Sequence, residues 1–201
     1  MTGCYRISTN IKSPNHYIEF PQGLYHKLSR YVWGDLMQTP VDPRWVITGV
    51  AQPGITSKSI GELDYLAAFM SIPIFSIKAS EVIKRECPDD VEFVPCKVVV
   101  DDALHDFMIA RIFKFLPLID QEATARGQKI SVFAPDILNA NMKDVYLMAR
   151  DVENPTTLIC SSEFRDLCNS NKLNIKFSEV EDFNNWLARQ PIKTGKPGRV
   201  G

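Results

Sequence analysis

The chain has 201 residues, 45% hydrophobic and 23% charged, long enough to bury one sizeable core and balanced like an ordinary globular protein. Its 23 basic and 24 acidic residues nearly cancel, which removes any general electrostatic case for nucleic acid or an anionic membrane as partner. The opening MTGCYRIST has neither the basic nor the apolar region of a secretory signal, and the longest apolar stretches, around Leu66 to Ile77 and Phe107 to Ile119, are too short or too interrupted to span a bilayer, so a soluble, cytoplasmic protein is expected.

Tyr5 to Phe20 is β-prone but broken by Ser13, Pro14 and Asn15, which predicts two strands around a turn. Leu24, Leu28 and Tyr31 or Val32 recur at helical spacing and predict a helix over Gln22 to Val32. Trp45 to Val50 is one apolar run between Pro- and Gly-containing loops and predicts a strand. Ser59 with Glu62 fits a capping box, and Leu63, Leu66, Ala67 and Met70 share a helical face, so a helix is predicted there, ending before Pro73.

Ile72 to Phe75 predicts a short strand, Ser76 a cap, and Ala79, Val82, Ile83 and Cys87 the buried stripe of a helix whose Lys78, Glu81, Lys84 and Arg85 face water. Pro88, Asp89 and Asp90 turn the chain into Val91 to Val100, a nearly continuous apolar run with the pattern of a strand covered on both faces. Asp106 to Phe115 fits a strand better than a helix on aromatic content and Pro117. Glu122 to Gln128 is taken as a polar connection, Lys129 to Phe133 as a strand, Leu138 to Val145 as a short helix and Val145 to Ala149 as a strand. Val180 to Leu187 is read as a closing helix, and Pro191 to Gly201 as a loose tail.

Leu158 to Val180 repeats the ingredients of Ile72 to Val100: strand Leu158 to Cys160, cap Ser161 or Ser162, stripe Phe164, Leu167 and Cys168, turn Asn169 to Asn171, exit strand Leu173 to Val180. Ser76 to Phe93 is 17 steps and Ser161 to Phe177 is 16, so the two units superpose with one residue of slack and suggest a duplicated strand-helix-strand element. The expected fold is α+β, a mixed sheet with helices packed on it and two such units, at 72–100 and 158–180. The expected organisation is a β-rich N-terminal lobe over 1–60, a main domain over 61–190 and a tail over 191–201.

Catalytic motifs are scarce. Gly49 to Gly54 has the spacing of a phosphate loop, but Ile55 and Thr56 stand where Lys and Ser or Thr are needed. His16, His26 and His105 lie far apart in the chain, and His105 with Asp102 or Asp106 is the only pairing that suggests acid/base chemistry, in a small-molecule or nucleotide-acting enzyme. Cys4, Cys87, Cys96, Cys160 and Cys168 form no C-x-x-C pair and are expected to be reduced and mostly buried. No metal or cofactor is expected.

Charge is more telling. Between Glu86 and Asp106 seven acids, Glu86, Asp89, Asp90, Glu92, Asp101, Asp102 and Asp106, face a single base, Lys97. If Val91 to Val100 is central, they gather at its two ends, where a basic partner would be steered and oriented.

The order "SIPIFSIKASEVIKRECPDDVEFVPCKV", "DFMIARIFKFLPLID", "ISVFAPDI…DVYLMAR" and "TTLICSSEFRDLCNSNKLNIKFSEV" resembles the polymorphic-toxin immunity proteins of family eleven, formerly a bacterial domain of unknown function. In that family a strand, a Ser-led helix and a strand recur twice around an extended run ending in Asp, here Asp120. The resemblance covers about Leu63 to Val180 and not the first sixty residues. It implies a non-enzymatic cytoplasmic protein of a bacterium that binds a cognate toxin and blocks it, and it offers no catalytic residue to carry over. Tight occlusion calls for an apolar anchor ringed by oriented charge, and Asp89, Asp90, Glu92, Asp101, Asp102 and Asp106 are the candidate rim. Homodimerisation is left open.

Overall fold

A computed structural model of the chain describes residues 3–10, 18–33, 47–130, 137–139 and 146–180. The chain divides into two compact units, Met1–Leu118 with Met142–Val180, and Ile119–Asn141 with Glu181–Gly201. The architecture is α+β, as expected.

In chain order the first unit contains β1 (Cys4–Ser8), β2 (Ile18–Glu19), α1 (Gln22–Val32), β3 (Thr48–Ala51), α2 (Ser57–Ile60), β4 (Tyr65–Ala68), a 3-10 turn at Phe69–Ser71, β5 (Ile72–Ser76), α3 (Ile77–Glu86), β6 (Val91–Val100), β7 (Ala103–Ile112) and β8 (Phe115–Leu116). After α4 (Gln121–Ile130), which belongs to the second unit, come β9 (Met148–Asp151), β10 (Leu158–Ser161), α5 (Ser162–Ser170) and β11 (Lys176–Glu179).

Six strands close into a barrel in the order β2-β3-β6-β7-β5-β4, and the other five form a sheet in the order β11-β1-β10-β9-β8. Alternation explains how one sequence serves two cores. Leu66 and Ala68 of β4, Ile72 and Ile74 of β5, Val94, Cys96, Val98 and Val100 of β6, and Phe107 and Ile109 of β7 form a first cluster with Ile18, to which α1 adds Leu28, Tyr31 and Val32. The opposite faces of these strands, through Tyr65, Phe75, Val91, Ala110 and Ile112, meet α3, α5 and the five-stranded sheet in a second cluster around Ile83, Phe164 and Cys168. Each large aliphatic side chain fully buried in this way contributes roughly 1.5–3 kcal/mol.

The repeat seen in the sequence is a repeat of topology. β5 and β6 flank β7 and are antiparallel to it, and β10 and β11 flank β1 and are antiparallel to it, so α3 and α5 each join two strands split by a third. β4 precedes β5 as an antiparallel neighbour just as β9 precedes β10. Ser76 Oγ accepts from Ala79 N at 3.0 Å and Ser161 Oγ from Phe164 N at 3.3 Å, so the two serines cap equivalent helices 85 residues apart. The inserted strands differ in origin: β7 follows β6 through a two-residue turn, whereas β1 comes from the start of the chain.

Several expectations are corrected. The helix expected after Ser59 is β4, because Thr56, not Ser59, is the cap. Thr56 Oγ1 accepts from Ser59 N and Ser59 Oγ from Thr56 N, and the helix ends at Gly61 after one turn. β4 has both faces covered and so reads as an unbroken apolar run, whose helical spacing is incidental. β6 is covered on both faces only near Val91 and Phe93; farther along, Pro95 and Lys97 are exposed.

The two strands expected within Tyr5 to Phe20 belong to different sheets, and the turn between them lies outside the described residues. The residues from the first sixty are likewise divided, β1 entering the sheet and β2 and β3 the barrel. The expected strands at Trp45 to Val50, Val145 to Ala149 and Leu173 to Val180 are seen as β3, β9 and β11, each shifted later at one or both ends. Trp45, Met142, Val145, the closing helix beyond Val180 and the tail lie outside the described residues.

In the second unit the expected polar connection Glu122 to Gln128 is α4, and Lys129 is its last turn instead of the start of a strand. Asp120 Oδ1 accepts from Ala123 N at 2.8 Å as its cap, and Thr124 Oγ1 accepts from Ile137 N at 2.9 Å. The buried positions Ala123, Thr124 and Gly127 have helical spacing, but their small side chains leave no hydrophobic signal.

Candidate functional site

β6 and β7 are in register over their whole length, from Val91 opposite Ile112 to Val100 opposite Ala103. The two residues joining them, Asp101 and Asp102, have φ of 47° and 63°. A hairpin this short takes the mirror-image turn that follows the strands' twist, and its left-handed positions favour Gly or Asn. Asp tolerates them at some cost because its short polar side chain bonds locally. Here Asp101 Oδ2 accepts from Ser57 N at 2.9 Å, and Ser57 Oγ lies 3.1 Å from that carboxylate and 3.2 Å from Val100 O, which ties the hairpin tip to the start of α2.

The six acids singled out in the sequence fall towards the two ends of this hairpin. Asp101 and Asp102 form the tip, and Asp106 stands on β7 three pairs in from it, opposite Lys97. Asp106 faces outward in an exposed ion pair with Lys97, its cross-strand neighbour, an arrangement worth at most about 1 kcal/mol. Asp89 and Asp90 lie in the turn at the far end, with Glu92 just inside it; the nine steps from Val91 to Val100, at roughly 3.3 Å each, put that turn about 30 Å from the tip, while Asp106 and Glu92 stand between the two ends.

At that far end Asp89 is exposed, and Asp90 closes the turn with its backbone, donating to Cys87 O at 3.3 Å and accepting from Phe113 N at 2.9 Å. Glu92 is engaged internally. It accepts from Tyr31 Oη at 2.6 Å and lies 3.4 Å from Arg111 Nη1, while the buried Arg111 guanidinium sits 4.7 Å from the Tyr31 ring centre and 5.2 Å from that of Phe113. Burial, reinforced by the hydrogen bond to Glu92, pushes the Tyr31 hydroxyl well above its ordinary value. Glu92 thus serves as counter-ion to Arg111 and is the least available of the six to a partner.

The acid/base pairing around His105 is divided by the strand's pleat. His105 shares a face with Phe107 and Ile109, whereas Asp106 is on the other face with Lys97. Among the described residues no hydrogen bond joins His105 to Asp102 or Asp106, and His105 Nε2 is buried without a partner. No group of three or more His, Cys, Asp or Glu able to hold a metal occurs among the described residues.

None of the five cysteines is in a disulfide; four are buried, and Cys4 Sγ lies 3.2 Å from Tyr146 Oη. Burial pushes the Cys87 thiol up to about 11 and those of Cys96 and Cys168 up to about 12, so all three are protonated and poorly nucleophilic at neutral pH. The Gly49 to Gly54 spacing is not a phosphate loop: Gly49 lies within β3, and Gly54 supplies a turn with φ of 111°.

What the sequence does not flag is apolar surface beside the acids. Leu104, two residues past Asp102, is 63% exposed, and Val50 is 53% exposed. Isolated in sequence, both read as core; only strand register reveals their outward face. Among the described residues no helix is long and apolar enough to cross a membrane. No protein-family model matches the chain, and no curated protein matches it.

Proposed function

We infer that the chain is an immunity protein, which binds a cognate bacterial toxin in the cytoplasm and neutralises it by occlusion, without catalysis. The observation that carries this reading is the course of the resembling segments. From Leu63 to Val180 they supply β5, α3 and β6, their counterparts β10, α5 and β11, the capping serines Ser76 and Ser161, and the β6–β7 hairpin that presents the acids.

A hairpin paired on both sides, by β3 and β5, is a rigid mount for oriented charge. Rigid presentation lowers the ordering cost of association and favours one partner over many. Asp101, Asp102 and Asp106 are the rim best placed for this role. The enzymatic alternative has less support, since His105 and Asp106 occupy opposite faces of β7. The partner is a protein, with no call for nucleic acid, membrane or cofactor.

The test is co-expression with the toxin encoded beside this gene. Rescue of growth and recovery of a stable complex are expected. A toxin that still kills in the presence of well-expressed, folded chain, with no complex recovered, overturns the proposal.

A further inference from the structure

Strand register places exposed apolar side chains in one row across the outside of the barrel. Val50 of β3 is paired with Val99 of β6, and Val99 with Leu104 of β7, on three successive strands. Paired side chains on neighbouring strands stand about 5 Å apart, so the three form a continuous stripe. Val50 and Leu104 are exposed and Val99 is half-buried between them.

The row extends beyond β3. Glu19 of β2 is opposite Val50, and Phe69 follows Ala68 in the chain as Glu19 follows Ile18, to which Ala68 is paired. Phe69 is 63% exposed, with the Tyr25 ring centre 5.7 Å from its own. Thr48, Lys97 and Asp106 make the next row on the same face.

The geometry points to this stripe as the anchor of a docking surface for a protein partner that presents an apolar side chain ringed by Lys or Arg; the assignment rests on the immunity reading and names the face it uses. Charge selects the occupant. Glu19, Asp101, Asp102 and Asp106 surround the stripe, against Lys97 and Lys58, and Lys97 is already paired with Asp106. Nucleic acid and anionic lipid are repelled by such a rim. A second copy docking through the same face would set acids against acids across the two-fold axis. A basic protein surface meets the rim with opposite charge and gives the stripe an apolar counterpart, the arrangement of an interface core within a polar border.

The other end of the hairpin has no such stripe, because Val91 and Ile112, which pair there, are both buried. Asp89 and Asp90 are therefore bystanders.

The purified toxin from the adjacent gene is the probe, and its dissociation constant is measured against the wild-type chain, Val50→Asp, Leu104→Asp and the double variant Asp89→Lys/Asp90→Lys. Leu104→Ser replaces Leu104→Asp if circular dichroism shows the latter to be unfolded. Loss of an anchor predicts binding about 30-fold weaker or worse for Val50→Asp and Leu104→Asp, and about threefold or less for the double variant. Wild-type affinity in both stripe variants overturns the assignment while leaving the immunity reading intact, as does a large loss in the double variant alone. Absence of binding by the wild-type chain fails the immunity reading itself. A sedimenting wild-type dimer that Leu104→Asp converts to monomer assigns the face to a second copy and overturns the proposal.

Discussion

Asp64 and Asn174 are joined twice: Asn174 N donates to Asp64 Oδ2 at 2.7 Å, and Asp64 N donates to Asn174 O at 3.3 Å. The other carboxylate oxygen, Oδ1, accepts from Ser76 Oγ, the hydroxyl that caps α3. One buried acid thus connects the cap of the first strand-helix-strand unit to the loop leaving the helix of the second.

Replacing Asp64 with Ala removes two charge-assisted hydrogen bonds and orphans Asn174 N, for a loss of about 3 kcal/mol. Asp64→Asn keeps one acceptor and loses about half as much. Urea unfolding checks this as a fall in midpoint at constant slope, and Ser76→Ala added to Asp64→Ala is expected to cost less than its effect alone.

At the hairpin tip, stability and binding are expected to part. Asp102 is exposed and left-handed, so Asp102→Gly relieves backbone strain and raises stability by roughly 0.5–1 kcal/mol. On the proposed immunity role it also removes a rim charge, so association with the toxin is expected to slow at low salt, with the difference shrinking as salt is added. Thermal unfolding and stopped-flow association measure the two effects on one variant.

Gly49 is required by packing. A Cβ there would lie 2.5 Å from Ile18 Cγ2 and 2.9 Å from Phe20 Cε1, both in the barrel core. Gly49→Ala is expected to destabilise by about 1–3 kcal/mol. Combining it with Ile18→Ala should cost less than the sum of the two single losses, a non-additivity that chemical denaturation reads directly.

The buried thiols set an alkaline limit. Unfolded cysteines ionise near the ordinary value of 9.0, while Cys87, Cys96 and Cys168 in the folded chain hold their protons to about 11 or 12 because they are buried. The folded state therefore binds more protons above pH 9, so stability is fully present below that pH and declines above it. Arg150, lowered to about 10 by burial, acts in the opposite sense, but only from about pH 10 upward. Urea midpoints should hold steady from pH 7 to 8.5 and fall between pH 9 and 10, with a shallower fall in Cys96→Ala.

Elements with local determinants are legible from the residues alone. α1 shows its helical stripe, and α3 and α5 show their serine caps, stripes and flanking strands, so even the duplication is visible. β4 is not, because a strand covered on both faces lacks the alternation that marks one. α4 hides behind Thr124 and Gly127, whose burial leaves no hydrophobic trace. The acids at the ends of β6 stand close together in sequence and are easily found. The stripe of Val50, Val99 and Leu104 is assembled by register from positions up to 54 residues apart, and valines in strands look like core until the pairing shows which face they take.

The most direct test of the occlusion account is a titration of the purified toxin's activity with the purified chain. Inhibition that is linear in added chain and complete at one chain per toxin, reversed when the complex is dissociated, is the predicted result. Full inactivation by far less than one equivalent would reveal turnover, and undiminished toxin activity at excess chain would show that the chain does not cover it; either result contradicts the account.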